Sequence, residues 1–298
     1  MSFRLSYIIS TRNRLPFLKV TLGVLIGELE MGEEIVVVDG NSTDGTKEYL
    51  QQLFIEGKIH QFISEPDLNQ AHGWNKAILM ARGSIIKKII DDDVFCYPSI
   101  RKCAEYMIKN SNVDVVISND LSVSLKHFTR LEYHSRKSQF ITWKTGKIPS
   151  FTFGDVHMLI RRNSLSLIGL YSTSFTMMDW FYSLQISYAK ANIVFYTGYN
   201  ALSVNHEGSI SSNINTKLTT EQGRRGGLFF EYKGDTSDMS SLSRLKITIG
   251  KLIGYKKSVN ESVGSTGNID ITIEDIYFQL YDRINKINAE SMDFEFIQ

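Results

Sequence analysis

The run Glu34-Ile35-Val36-Val37-Val38-Asp39-Gly40 sets the fold class. A continuous β-branched stretch of this kind suits a parallel strand covered on both faces, and here it closes on a carboxylate and a glycine. Upstream, Leu5 to Ser10 reads as a first strand, and Pro16 fits the first turn of a helix along which Leu18, Leu22, Leu25 and Leu29 recur. Downstream, Ser42-Thr43-Asp44-Gly45 supplies turn and capping residues ahead of a helix bearing Tyr49, Leu50 and Leu53. Ile59 to Ile63 predicts a third strand, and Gln70 to Arg82 a third helix with Ala71, Trp74, Ile78 and Ala81 on one side. Alternating strands and helices predict an α/β fold with a doubly wound, mostly parallel sheet, whose ligands gather outside the carboxyl ends of the strands. Ser10, Asp39, Glu65 and Asp91 all fall at such ends.

Size and charge narrow the function classes. The chain of 298 residues is 42% hydrophobic, which suits one large α/β domain or two smaller ones. Its formal net charge of +1, from 33 basic and 32 acidic residues, gives no general polyanion-binding field, so nucleic acid is not an expected partner. Cys96 and Cys103 stand seven apart, two turns along one helix face, and are expected to be reduced and structural, as in the cytoplasm. No apolar run approaches the roughly 18 to 20 residues that span a bilayer, and Met1-Ser2-Phe3-Arg4 leads into a strand where a signal peptide has its apolar region.

The acidic run Ile89-Ile90-Asp91-Asp92-Asp93-Val94 carries the first chemical signal. If Gly83 to Ile90 is a strand that continues outward, alternation aims Asp91 and Asp93 together. Two carboxylates on one face suit Mg²⁺ or Mn²⁺, which fill their remaining positions with water and substrate phosphate oxygens. A solvated acidic turn is the competing reading. Neither a Gly-x-Gly-x-x-Gly after the first strand nor a Gly-x-x-x-x-Gly-Lys-Ser/Thr occurs, which argues against dinucleotide oxidoreductases and P-loop enzymes.

Four ordered motifs then carry a resemblance. Tyr7-Ile8-Ile9-Ser10-Thr11-Arg12-Asn13-Arg14, Val37-Val38-Asp39-Gly40-Asn41-Ser42-Thr43-Asp44-Gly45-Thr46, Ser64-Glu65-Pro66-Asp67 with Asn75-Lys76, and Asp91-Asp92-Asp93 are similar to family 2 glycosyltransferases of the GT-A fold. The likeness is nearest to bacterial enzymes of surface-polysaccharide assembly, of the O-antigen, capsule and colanic-acid type. It covers residues 4 to 100 strongly and 150 to 212 weakly. Val94 stands where the family usually has a further Asp, and Asn69 where it often has Gly.

The resemblance implies a GT-A catalytic domain over 1–212, with a nucleotide-sugar half (1–119) and an acceptor and base half (120–212), followed by a helical extension over 213–298. It implies that Asp39 binds the base or ribose, that Thr11 and Arg12 line the base with Glu65 near it, and that Asp91 and Asp92 face the nucleotide. Asp91 and Asp93 would hold Mn²⁺ or Mg²⁺, Asp93 foremost, with His206 as a further ligand. Asp179 would be the general base of an inverting transfer, although Met178 occupies the other position of the family's acidic pair. The implied donor is a nucleotide diphosphate sugar, UDP-linked, and the implied acceptor an oligosaccharide or a polyprenyl-diphosphate-linked glycan. A sugar-phosphate nucleotidyltransferase and an inactive nucleotide- or glycan-binding module are the alternatives.

Other stretches keep two readings each. Residues 121–150 mix Lys126, His127, Arg130, His134, Arg136, Lys137 and Trp143, as a solvated excursion or an acceptor-side loop. Asp39 is also a cap for the loop that follows it, and Asp179 opens a helix and is likewise an ordinary cap. His206 in Asn205-His206-Glu207-Gly208 is either structural or a ligand. Gln222 to Gly227 holds paired arginines that suit a phosphate clamp in a mobile flap. Residues 240–259 form a basic amphipathic segment that suits an anionic membrane surface, on the cytoplasmic side, or docks onto the catalytic domain. Residues 258–268 read as a linker, and Ile271 to Ile287 as a helix suited to self-association into a homo-oligomer.

Overall fold

The computed structural model describes residues 3–208, 216–232, 234, 272–291 and 293–298. The basic segment 240–259 and the linker 258–268 lie outside the described residues. Strands β1 (Leu5–Thr11), β2 (Glu33–Asp39), β3 (Gln61–Ser64) and β4 (Ile85–Lys88) pair in parallel in the order β3-β2-β1-β4. Helices α1 (Leu15–Glu28), α2 (Thr46–Ile55) and α3 (Gln70–Met80) link them. Pro16 lies in the first turn of α1, and Leu18, Leu22 and Leu25 are buried from it. β2 is buried along its whole length, because helices cover both faces of the sheet there.

The sequence beyond β4 departs from simple alternation. A two-residue strand β5 (Val94–Phe95) precedes helix α4 (Tyr97–Lys109) and strand β6 (Val115–Ser118), and β7 (Asp120–Ser124) with β8 (Leu131–His134) forms an antiparallel pair. Residues 121–150 are therefore a hairpin followed by helix α5 (Lys137–Lys144), which buries Phe140 and Trp143. Strand β9 (Met158–Arg161) runs antiparallel between β4 and β6, so the sheet is mixed in this half. Short helix α6 (Leu165–Ile168), helix α7 (Met178–Tyr188), β10 (Ile193–Tyr196) and β11 (Ala201–Asn205) follow. β11 joins β5 and β7, giving a second sheet, β5-β11-β7-β8, beside the main one.

Helix α8 (Thr216–Phe229) takes up Gln222 to Gly227, which places the two arginines on a helix instead of a flap. Gly226 is required there: a Cβ would come within 2.7 Å of the Trp180 ring. Helix α9 (Ile273–Glu290) begins with a capping box made by Thr272 and Asp275. Its apolar side, Tyr277, Leu280, Tyr281 and Ile284, is buried against α1 and β5, so the face expected to associate with a second copy is spent inside the chain. Strand β12 (Phe296–Ile297) then adds antiparallel to the edge strand β10, completing the order β12-β10-β6-β9-β4-β1-β2-β3.

β4 also carries a departure from the usual composition of a central strand. Lys87 and Lys88 are both buried, on opposite faces. Lys87 Nζ donates to the Val156 carbonyl and to Asn200 Oδ1 at 3.2 Å, and burial pushes its ammonium down to about 7. Cys96 and Cys103 are free and buried. No helix among the described residues is long and apolar enough to cross a membrane.

Candidate active site

β4 ends at Lys88, so Asp91, Asp92 and Asp93 lie on a turn and not along an extended strand. The three carboxylates therefore do not alternate; each finds its own partner. Asp91 Oδ2 accepts from Thr11 Oγ1 at 2.6 Å. Asp93 Oδ1 accepts from the Val204 amide at 2.7 Å. Asp92 Oδ2 meets His206 Nε2 at 2.8 Å and Arg14 Nη1 at 3.3 Å. The residues are only 6%, 9% and 6% exposed in sequence order, so the turn is not a solvated acidic loop. Burial first, and then the charge of Asp92, pushes the Asp91 carboxyl up to about 7 and the Asp93 carboxyl well above its ordinary range.

This arrangement tests whether a divalent cation fits. His206 is brought to Asp92, while Asp93 turns inward to β11. His206 Nδ1 accepts from the Gly208 amide at 3.1 Å, so Nε2 holds the ring proton and donates to Asp92; a cation taking that place displaces the proton. One carboxylate and one imidazole that converge at a buried, acid-rich turn are a suitable donor pair for Mn²⁺, with phosphate and water completing the shell, provided that Arg14 Nη1, 3.5 Å from His206 Nε2, turns toward the phosphate. Among the described residues no group of three or more His, Cys, Asp or Glu side chains is arranged to hold a metal alone.

The residues expected on the nucleotide side, Thr11, Arg12, Asp39 and Glu65, fall at or just past the ends of β1, β2 and β3, but several are occupied. Asp39 is fully buried, and its carboxylate accepts from the Ser42 amide at 3.1 and 3.2 Å, from Ser42 Oγ, and from Ser64 Oγ at 2.6 Å. It braces the loop between β2 and α2. Thr11 is committed to Asp91, Arg12 is exposed, and exposed Glu65 pairs with Lys76 Nζ at 2.9 Å. Lys76 also holds Asp67 at 2.7 Å. Gly40 and Gly73 give Asp67 its room, since a Cβ on either would come within 2.9 or 2.7 Å of Asp67 Oδ2.

Asp179 lies in the first turn of α7, after the N-cap Met177, which makes no side-chain cap bond, and the backbone amides of Trp180 and of Asp179 itself help to hold its carboxylate. It retains an exposed surface within a dense surround, and desolvation followed by the charge of Asp155 raises its pKa. Beneath it, Lys88 Nζ pairs with Asp155 Oδ2 at 2.5 Å, and Tyr171 Oη donates to the same oxygen at 2.7 Å. Lys88 Nζ also stands 4.3 Å from the Trp74 ring centroid. Met178 is buried in the core.

Sequence reasoning missed four participants. Arg14 was within a quoted motif, and it clasps Gly208 O at 2.7 Å as well as Asp92. Lys88, Asp155 and Tyr277, whose Oη donates to the Asp92 carbonyl at 2.6 Å, carried no local signal beyond two lysines at odds with an apolar strand.

Comparison with known proteins gives the family and the fold. A family model described as Glycosyl transferase family 2 matches residues 6–169. TuaG of Bacillus subtilis (strain 168), named as a glycosyltransferase of teichuronic acid biosynthesis, is 29% identical over 107 residues; the match spans 36% of this chain and 42% of TuaG, less than half that relative's length. Among solved structures, S. aureus TarS 1-349 in complex with UDP-GlcNAc superposes with a TM-score of 0.56 at 14% identity, over 99% of both chains. A mannosyltransferase, PcManGT from Pyrobaculum calidifontis in complex with GDP-Man and Mn²⁺, gives a TM-score of 0.56 at 14% identity over 97% of this chain and 86% of that one. At such identity the two structures establish the fold, GT-A.

Proposed function

Because the chain belongs to glycosyl transferase family 2, we propose that it is a cation-dependent, inverting glycosyltransferase acting in bacterial surface-polysaccharide synthesis. The donor on this reading is a nucleotide diphosphate sugar, UDP-linked, and the acceptor a glycan carried on a polyprenyl diphosphate at the cytoplasmic face of an anionic membrane. The observation that carries it is the convergence of Asp92 and His206, 114 residues apart, at the carboxyl-end rim of a nucleotide-binding type of sheet. On this reading residues 1–212 form the catalytic domain, to which α9 and β12 contribute from the far end of the chain.

Asp92 and His206 would hold Mn²⁺ or Mg²⁺ in preference to Asp93, whose Oδ1 serves the Val204 amide. When bound, the cation acts as a Lewis acid on the donor diphosphate. Arg14 sits against this end and adds a fixed positive charge for the leaving diphosphate. Thr11 steadies Asp91, and Asp39 shapes the base loop through Ser42 and Ser64. Asp179 takes the proton of an acceptor hydroxyl at its carboxylate as that oxygen attacks the anomeric carbon from the face opposite the diphosphate, and the bond between anomeric carbon and phosphate oxygen breaks. The raised pKa of Asp179 makes it a stronger base than a surface carboxylate.

The test is turnover with purified chain, a panel of nucleotide sugars and a lipid-linked glycan. Release of a nucleoside diphosphate that needs both acceptor and Mn²⁺ supports the reading. Pyrophosphate release from a nucleoside triphosphate and a sugar phosphate assigns a nucleotidyltransferase instead, and nucleotide binding without turnover assigns a binding module.

A further inference from the structure

We infer that Tyr277, on α9, is a positioning residue for the cation-holding end of this site, acting with Phe17 of α1; the inference rests on the function proposed above. The turn at 91–93 lies outside the strand ladder, so few backbone bonds hold it. Asp93 N donates to the Ile90 carbonyl at a long 3.3 Å, and Thr21 Oγ1 donates to the Asp91 carbonyl at 2.9 Å. The short contact is from the far end of the chain: Tyr277 Oη donates to the Asp92 carbonyl at 2.6 Å, across 185 residues. The Tyr277 ring is fully buried, so the hydroxyl has a fixed origin from which to hold that carbonyl.

The partner of Asp92 is held from the same side. Phe17 stacks on the His206 ring with centroids 4.6 Å apart and planes at 27°, and its other neighbour is the Tyr277 ring at 6.0 Å. One aromatic group thus sets the plane of the imidazole while the next sets the backbone that carries the carboxylate. Donor atoms for a divalent cation must converge within a few tenths of an ångström, and groups that orient ligands without touching the ion commonly change metal affinity 10- to 100-fold when removed. Helix α9 is thereby a working part of the site, although its nearest residue follows Asp92 by more than half the chain.

Tyr277→Phe keeps the ring and removes the hydroxyl. Calorimetry is expected to show Mn²⁺·UDP affinity reduced by roughly 10-fold or more, UDP affinity without cation unchanged, and a melting temperature within about 5 °C of the parent. Amide hydrogen exchange of the metal-free chain should be faster across residues 90–94. Leu280→Ala, which hollows the same helix without touching the turn, controls for plain destabilisation and should leave Mn²⁺·UDP affinity at the parent value. Parent-like affinity in Tyr277→Phe together with lost affinity in Asp92→Asn overturns this inference alone, as does an equal loss in Leu280→Ala. A parent chain that takes up no Mn²⁺ with UDP overturns both this inference and the function it rests on.

Discussion

Lys88 and Asp155, 67 residues apart, form an ion pair at 2.5 Å beneath Asp179, each side chain only 5% exposed. Removing one partner strands a buried charge, so Asp155→Ala should cost about 3–5 kcal/mol, whereas the double replacement Lys88→Met with Asp155→Leu should recover most of it. Denaturant titration of the three variants checks this. Because the Asp155 charge helps to raise Asp179, Asp155→Asn should also move the acid limb of the rate profile to lower pH.

Asp179→Asn keeps the size of the side chain but cannot accept a proton. Donor affinity should persist while transfer falls by about 10²-fold or more, measured as rate and binding side by side. In the parent, transfer should rise with pH through a pKa raised from that of a free aspartate. Near-parent turnover in the variant would remove Asp179 as the base.

The acidic turn predicts a coupling of pH, cation and stability. The folded-state pKa values of Asp91, at about 7, and Asp93 lie above their unfolded values, so the folded chain binds protons more tightly. Metal-free stability should therefore be fully present below about pH 4 as far as these groups are concerned, and be lost progressively as pH climbs through about 7. A dication held beside the turn would favour the ionised forms of Asp91 and Asp93, so the stabilising shift in melting temperature from Mn²⁺ should be larger at pH 8 than at pH 5.5. Thermal scans at both pH values, with and without Mn²⁺, check the sign.

Asp39→Ala should both loosen the β2–α2 loop and weaken nucleotide binding, with or without cation. The loss should be about 2–3 kcal/mol of stability, since a fully buried carboxylate with donors from Ser42 and Ser64 is removed. Ser64→Ala removes one donor and should cost about 1 kcal/mol. Unfolding and UDP binding measured on both variants separate a bracing role from direct contact.

Most of the fold was legible because its information is local. The leucines of α1, the valines of β2 and the small residues around Trp74 on α3 declare period and burial within a few residues of chain. The brace on Asp39 was legible for the same reason, since Ser42 stands three residues on. The turn was misread because its shape depends on Thr21 and Val204, far away in sequence, and because alternation holds only while the ladder continues; β4 stops at Lys88. Lys88 and Asp155 were invisible because burial of charge contradicts the pattern from which strands are read. The apolar face of α9 was readable, but the surface that receives it was not: amphipathicity gives a helix a side and no address.

Strand β12 and helix α9 give the protein an order of assembly. Synthesis delivers the aspartate turn 185 residues before the hydroxyl that holds it, and the strand that covers the edge of β10 later still. A growing or prematurely halted chain would thus carry the acidic turn without its strut and the sheet with a bare edge, open to unwanted pairing. The strut for the turn and the cover for the sheet edge arrive together, long after the parts they serve.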